Sequence, residues 1–109
     1  QQFRGDVYVL VDRHSYSNAV TFAAMVQDYG FGTIIGEETA DLATTYGAME
    51  SFTLPNSGVS VGFPKAYIIR PNGDVTVRGV VPDITIPAPI VLGEGDVVLD
   101  AALALVEGR

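Results

Sequence analysis

The hydrophobic pattern of the chain changes its period at one short junction. Residues 7–11, VYVLV, form a continuous apolar run rich in β-branched side chains, which favours a strand buried on both faces, as in a parallel sheet. Residues 17–29 predict an amphipathic helix, with apolar side chains at 19, 22, 23 and 26 and Gly30 as its stop. A second apolar run, GTIIG, follows at residues 32–36. We therefore predict a βαβ unit with parallel strands and a right-handed crossover.

The middle of the chain predicts loops and hairpins. Residues 37–48 are polar with weak periodicity and are interpreted as a loop. Alternating residues on both sides of Pro55–Gly58 predict a hairpin over residues 50–63. The same arrangement around Pro71–Asp74 predicts another hairpin over residues 66–79.

The end of the chain predicts an extended segment and a helix. Residues 81–89 are punctuated by prolines and are expected to be extended. Residues 96–107 predict a helix with Asp96 as its N-cap. The predicted fold class is therefore α/β, a βαβ unit with attached β-hairpins and a C-terminal helix.

Size and composition exclude several function classes. The chain has 109 residues, which suits one domain, and its 48% of hydrophobic residues is typical of a globular protein. The net charge is −7 and the six basic residues are scattered singly, so the clustered basic face that nucleic acid requires is missing. No apolar run approaches the roughly 18 residues of a membrane span. The lack of cysteine and the single histidine, His14, exclude a disulfide frame, a zinc–thiolate site and a multi-histidine metal site built from this chain alone.

The junction between the first strand and the helix contains two serines, Ser15 and Ser17. Serine is among the best N-cap residues, so both serines have an ordinary structural explanation. A serine at a helix N-terminus is also well placed as a nucleophile, because the unpaired N–H groups and the helix dipole stabilise an oxyanion there. His14 lies three residues before Ser17 and is either its general base or a structural residue.

Other charged residues are weaker candidates for a site. Glu37 and Glu38 follow the second strand, but adjacent side chains there point to opposite faces, so they are not a natural acid–base pair. Asp28 lies near the predicted helix end, where it opposes the dipole. Lys65 is the only lysine and is interpreted as a solvated residue at a hairpin edge.

Three stretches resemble, in their order and spacing, the catalytic domain of carboxy-terminal processing (tail-specific) serine proteases, which include the tricorn-like enzymes. The stretch VYVLVDRHSYSNAVTFAAMVQDYGFGTIIGEET resembles the family's strand, serine-rich turn, helix ending in Gln-Asp-Tyr-Gly, and strand followed by Gly-Glu-x-Thr. The others are FPKAYIIRPNGD and RGVVPDITI, the latter resembling a Gly-Val-x-Pro-Asp segment. The resemblance covers about residues 7–86.

The resemblance implies a serine-type endopeptidase that forms an acyl-enzyme on Ser17 and has Asp28 as a further site residue. It implies a crotonase-like spiral of ββα units and no cofactor. It also implies that residues 1–109 are a single domain, the C-terminal half of a catalytic domain whose N-terminal half is missing. The implied partner is a peptide or an unfolded protein segment, and the implied location is the bacterial periplasm or the cell exterior.

One departure from the family pattern keeps other interpretations open. Where serine–lysine members of the family carry a general-base lysine in a Gly-Lys-Gly turn, this chain has Leu42, which cannot accept a proton. In tricorn-like members a histidine from the missing half is the base. A catalytically inactive peptide-binding or scaffold homologue, and an unrelated α/β module in which Ser17 is only a cap, are therefore alternatives. Because a half-domain exposes apolar surface, we also expect self-association.

Overall fold

The described residues form two helices and five strands, in the predicted α/β class. The computed structural model describes residues 2–90, 93 and 95–108. The elements are β1 (Tyr8–Val11), α1 (Asn18–Asp28), β2 (Thr33–Gly36), β3 (Thr45–Thr53), β4 (Ser60–Ile68), β5 (Ile84–Thr85) and α2 (Val97–Glu107). Neither helix of this described part has the length and apolar character that a membrane span requires.

The central sheet has three parallel strands in the order β1–β2–β5. Tyr8 is paired with Thr33 and Val11 with Gly36, which confirms the predicted parallel neighbours. Gly36 is required where the strands end, because its φ is +130° and a Cβ built there would lie 1.9 Å from the carbonyl oxygen of Val11.

One helix covers each face of this sheet, which explains why the middle of β2 is apolar on both sides. Ile34 and Ile35 are both fully buried and, being adjacent in a strand, face opposite sides. Ile34 belongs to the cluster formed with α1, whereas Ile35 packs with Val98 and Ala102 of α2. The two helices therefore cover the sheet from both sides.

The buried face of α1 differs from the predicted one. Its buried residues are Val20, Ala23, Ala24 and Val26, whereas Phe22 is 56% exposed. Only positions 23 and 26 of the predicted apolar stripe are therefore buried. The buried positions 20, 23, 24 and 26 show that the helix is turned about its axis relative to the prediction, which leaves Phe22 outside. The helix ends as predicted before Gly30, whose φ is +66°.

The hairpin formed by β3 and β4 corrects two further predictions. It pairs Thr45 with Ile68 and Thr53 with Ser60, so its first strand begins inside the segment predicted as a loop. The second predicted hairpin is absent, because no strand follows the turn at residues 70–73 until β5 begins at Ile84. The backbone between this turn and β5 is instead hydrogen-bonded to side chains of the same segment and to the backbone of the loop after β2.

The remaining predictions concern the helix at the end of the chain and the larger fold. Asp96 caps α2 as predicted, its Oδ1 accepting from Val98 N at 3.1 Å and Leu99 N at 3.0 Å. Only Ile84 and Thr85 of the predicted extended segment form a strand. The crotonase-like spiral and the self-association stay predictions.

Candidate active site

Asp12 holds the turn between β1 and α1. Its Oδ1 accepts a hydrogen bond from the backbone N–H of His14 at 2.8 Å, and its carbonyl oxygen accepts one from the N–H of Ser15 at 3.0 Å. The Ser15 hydroxyl in turn accepts from the backbone N–H of Asp12 at 3.0 Å. Ser15 therefore closes the turn, which is a structural task.

Ser17 lies directly before α1 in a strained backbone conformation. Its φ of 55° and ψ of −123° fall in a region that residues with a Cβ rarely adopt. Such a conformation costs on the order of 1–3 kcal/mol and persists only where neighbouring contacts hold it. A strained strand-to-helix turn is how the nucleophile elbow of hydrolases exposes its serine hydroxyl. Ser17 is exposed to solvent here.

The Ser17 hydroxyl does not cap the helix. The first helical hydrogen bonds go to its backbone carbonyl oxygen, from Val20 N at 3.0 Å and from Thr21 N at 3.1 Å, and its side chain makes no capping bond. Ser17 thus occupies the N-cap position, but the expectation that its side chain caps the helix is wrong. The hydroxyl is available for another task.

The N-terminus of α1 also offers a hydrogen-bond donor beside Ser17. Within the described residues, the backbone N–H of Asn18 donates to no acceptor. Unpaired N–H groups in the first turn carry the positive end of the helix dipole. Donors of this kind stabilise an oxyanion that forms on the neighbouring residue.

Asp41 contacts Ser17 from the loop that follows β2. Its Oδ2 accepts a hydrogen bond from the backbone N–H of Ser17 at 2.6 Å, and its Oδ1 accepts one from the N–H of Leu42 at 3.0 Å. Hydrogen bonds to charged groups contribute about 1.5–3 kcal/mol, which is comparable with the strain at Ser17. The sequence analysis did not single out Asp41. Its position one residue before Leu42, where the resemblance places the base, was the available signal.

The loop carrying Asp41 is fixed on the segment 78–80. Thr39 is 2% exposed, and its Oγ1 accepts from Val80 N at 2.9 Å and donates to the Asp41 carbonyl oxygen at 2.8 Å. Gly79 is needed for this close approach, because a Cβ there would lie 1.9 Å from the Thr39 carbonyl oxygen. The Arg78-Gly79-Val80 stretch therefore positions the loop beside Ser17.

Neither Leu42, which occupies the position of the family's general-base lysine, nor His14 is bonded to the Ser17 hydroxyl among the described residues. Leu42 is half-buried and lies next to the residue that contacts Ser17, but its side chain cannot accept a proton. His14 is exposed in the serine turn. Among the described residues, no hydrogen bond joins the His14 imidazole to Ser17.

Asp28 lies at the opposite end of α1 from Ser17. They are eleven positions apart, and a rise of 1.5 Å per residue puts them about 16 Å apart along the helix. Its carboxylate is 3% exposed and accepts from Arg70 Nη2 at 2.7 Å and Nε at 3.0 Å, and from Asn72 N and Nδ2 at 3.1 Å each. Burial alone raises the pKa of Asp28, but the hydrogen bonds from Arg70 and Asn72 outweigh it and hold that pKa below its ordinary value. The structure thus does not bring the two predicted site residues together.

Gln27 connects the same end of α1 to two other segments. Its Nε2 donates to the carbonyl oxygen of Val81 at 2.8 Å and to Asp83 Oδ1 at 3.0 Å, and its Oε1 accepts from Arg70 at 2.9 Å. The other oxygen of Asp83 accepts from Ile34 N at 2.8 Å. The Gln-Asp-Tyr-Gly and Pro-Asp motifs therefore meet in one polar cluster that joins the helix to the sheet.

Glu37 and Glu38 diverge as predicted. Glu37 accepts from Arg13 Nε and Nη2 at 2.9 Å each and from Ala88 N at 3.0 Å. Glu38 accepts from Arg78 Nε at 3.1 Å and Nη2 at 2.8 Å. These arginine hydrogen bonds hold the pKa of both carboxyls below their ordinary value. The first pair ties the serine turn to the segment after β5, whereas the second ties the Asp41 loop to residue 78.

A cavity of about 600 Å³ lies beside the serine turn at the carboxyl end of β1. Its walls come from residues 10–15, from residues 88–90 and from the start of α2. The Arg13 guanidinium, which donates to the Ala88 carbonyl oxygen at 2.9 Å, fixes one wall against another. In the part of the chain that the structure covers, no three metal-ligating side chains are grouped.

Comparison with known proteins places these features in a family. The family described as peptidase family S41 matches residues 1–86 of the chain. The chain belongs to peptidase family S41. The match covers both serines of the turn, the Asp41 loop and the polar cluster of Gln27 and Asp83, and it confirms the resemblance to tail-specific proteases.

Individual relatives support the same assignment. The chain is 34% identical over 93 residues to the tail-specific protease of Haemophilus influenzae, a match that covers 80% of this chain and 13% of that protein. It is similar to the photosystem II D1 C-terminal processing protease, with 28% identity, a TM-score of 0.60 and 75% and 20% of the two chains covered. It is also similar to mature CPAF, with 26% identity, a TM-score of 0.58 and 72% and 15% covered. The chain thus spans a small part of the length of the relatives it matches.

Proposed function

We propose that Ser17 is the nucleophile of a serine endopeptidase that cleaves peptides or unfolded protein segments. The observation that carries this proposal is the conformation of Ser17, which is strained, exposed and relieved of any capping bond. A fold maintains such strain where it serves a function, and an exposed serine at a strand-to-helix turn is the arrangement that nucleophilic attack requires. Membership of a peptidase family supports the same chemistry.

The proposed reaction proceeds through an acyl-enzyme. The Ser17 Oγ attacks the carbonyl carbon of the scissile peptide, its proton passes to a general base, and the carbonyl oxygen becomes an oxyanion. The N–H of Asn18 is the proposed donor to that oxyanion. The C–N bond then breaks, the amine leaves with the proton from the base, and water hydrolyses the ester to regenerate Ser17.

The general base and a second oxyanion donor are assigned to another part of the protein. Leu42 and the placement of Asp28 support this assignment, because neither provides a proton acceptor at Ser17. In this proposal residues 1–109 form one domain, the C-terminal half of a catalytic domain with a crotonase-like spiral. The cavity beside the serine turn would receive a substrate side chain. We propose a periplasmic or secreted location by likeness to the bacterial relative.

Leu42 also supports a second candidate function. A homologue that lost its base would bind extended peptides without cleaving them. In that case the strained Ser17 would be a feature retained from an active ancestor. A peptide-binding protein would retain a cleft like the cavity at the end of β1 but show no turnover.

Ser17→Ala and Ser15→Ala in the full-length protein distinguish these functions. We expect Ser17→Ala to abolish hydrolysis of fluorescein-labelled β-casein, a loss of several orders of magnitude, with an unchanged melting temperature because no capping bond is lost. Ser15→Ala should retain most of the activity and lose about 1 kcal/mol of stability, because its bond to Asp12 is removed. Turnover and melting temperature are measured on the same preparations.

Turnover and casein binding distinguish the peptidase from the peptide-binding homologue. Hydrolysis by Ser17→Ala at the parent rate would refute the nucleophile. Binding of β-casein by a parent protein that never cleaves it would instead establish the peptide-binding homologue.

A further inference from the structure

Asp41 is the one carboxylate in direct contact with Ser17 among the described residues, and the proposed mechanism gives it no task. We infer that Asp41 is the positioning residue that holds Ser17 in its reactive conformation through the Ser17 N–H. This inference rests on the proposed function, because it concerns how the nucleophile is presented.

The strain at Ser17 calls for a contact that selects the left-handed φ. At φ 55° and ψ −123° the peptide N–H of Ser17 is turned toward the loop after β2, where the Asp41 Oδ2 accepts it at 2.6 Å. Rotating Ser17 to an ordinary conformation would turn this N–H away and break the bond. A short, charge-assisted hydrogen bond therefore opposes relaxation of the turn.

Hydrogen bonds of its own hold Asp41 in place, so it cannot move with Ser17 if the turn relaxes. Its Oδ1 accepts from Leu42 N at 3.0 Å, which sets the orientation of the carboxylate plane. Its carbonyl oxygen accepts from the buried Thr39 hydroxyl at 2.8 Å, and that hydroxyl also accepts from Val80 N at 2.9 Å. Ser17 is thus connected through Asp41 and Thr39 to Val80, a fully buried core residue.

The hydrogen bond from the Ser17 N–H to Asp41 also determines which backbone N–H groups at the N-terminus of α1 can bind an oxyanion. The carboxylate takes the N–H of Ser17, whereas the N–H of Asn18 has no acceptor in the described part of the chain. At this helix end an oxyanion on the substrate then meets the N–H of Asn18 and not that of Ser17, and the turn fixes the position of the Asn18 donor relative to the Ser17 hydroxyl. A displacement of the nucleophile by about 1 Å lowers a rate by about 100-fold, so the restraint has a kinetic consequence.

Asp41→Ala, Asp41→Asn and the matched control Asp74→Ala test this role in the full-length protein. Asp74 makes the same type of bond, its carboxylate accepting from the backbone N–H of Thr76 at 2.9 Å, but it contacts neither Ser17 nor Asp41. The first readout is the rate at which a fluorophosphonate probe labels Ser17, located by peptide mapping. The second is kcat and KM for fluorescein-labelled β-casein. The third is the amide proton chemical shift of Ser17.

A positioning role predicts a specific pattern across these readouts. Asp41→Ala should lower probe labelling and kcat by about 100-fold with little change in KM, since the substrate cleft is untouched. Asp41→Asn, which keeps an oxygen acceptor, should recover part of that loss. Both should move the Ser17 amide proton upfield, and Asp74→Ala should leave all three readouts at the parent values.

Failure of the inference and failure of the proposed function differ in outcome. Labelling and turnover of Asp41→Ala at the parent rates, or an unmoved Ser17 amide proton, would overturn the positioning role. If the parent is never labelled at Ser17 and never cleaves casein, the nucleophile is refuted. In that case the amide shift alone decides whether Asp41 holds the turn.

Discussion

The ion pair of Asp28 and Arg70 is expected to stabilise the fold rather than take part in the reaction. The Asp28 side chain is 3% exposed and that of Arg70 is 9% exposed, so both charges are almost fully removed from water. Removing one partner of a buried pair leaves the other uncompensated and costs about 3–5 kcal/mol. Against a total stability of about 5–15 kcal/mol for a domain, this is a large fraction.

A double-mutant cycle measures this contribution. Asp28→Asn and Arg70→Met should each lower the free energy of unfolding by about 3–5 kcal/mol, because each leaves a buried charge unpaired. The double variant should lose much less than the sum, since it leaves neither charge behind. Urea unfolding followed by circular dichroism gives the four free energies of unfolding, those of the parent, the two single variants and the double variant.

The pH dependence provides a second check with a defined sign. The pKa of Asp28 lies below its ordinary value of 3.8 in the folded state. Its contribution is therefore present above that ordinary pKa and is lost as the pH falls through the lower folded-state pKa. Asp28→Asn should weaken the acid destabilisation of the parent. The variant should keep part of the acid destabilisation, because Glu37, Glu38 and Asp74 also have lowered pKa values.

Activity separates a structural role of Asp28 from a catalytic one. At a temperature where Asp28→Asn remains folded, Ser17 should react with the fluorophosphonate probe at the parent rate, because about 16 Å of helix separates the two residues. A loss of less than 1 kcal/mol in both single variants would refute the energetic reasoning. A variant that melts like the parent but no longer reacts would make Asp28 part of the active site.

Two further predictions concern the frame around the serine turn. Gly36→Ala should cost at least about 3 kcal/mol of stability or prevent folding, because its Cβ would lie 1.9 Å from the Val11 carbonyl oxygen. The control Gly58→Ala, at φ +72° with nothing within 4 Å of the new Cβ, should cost only about 1–2 kcal/mol. Equal losses of stability in the two variants, measured by thermal melting, would contradict this reasoning. Glu37→Gln should weaken the tie between Arg13 and Ala88, so hydrogen exchange at the Ala88 N–H should become several-fold faster, and an unchanged exchange rate would contradict that tie.

The sequence by itself determined the elements whose signals are local. The continuous apolar runs at 7–11 and 32–36 required strands with both faces covered, and the intervening periodicity required a crossover helix, so the parallel pair followed. Asp96 as a cap and Gly30 as a stop follow from short-range hydrogen bonding and φ preference. The motif order was enough to identify the peptidase family, and Ser17 as its nucleophile stays a proposal.

Tertiary structure decided everything that depends on contacts between distant segments. The face of α1 that packs on the sheet carries Val20, Ala23 and Ala24, so Phe22 lies outside although its position fits the helical stripe. The 70–83 segment bonds to side chains and to the loop after β2, so turn residues alone overpredicted a hairpin. Asp28 is buried by Arg70, which is 42 residues away, and Asp41 reaches Ser17 across 24 residues. Neither partnership leaves a periodic or local signal, because a hydrogen bond between remote segments depends only on where the fold brings them together.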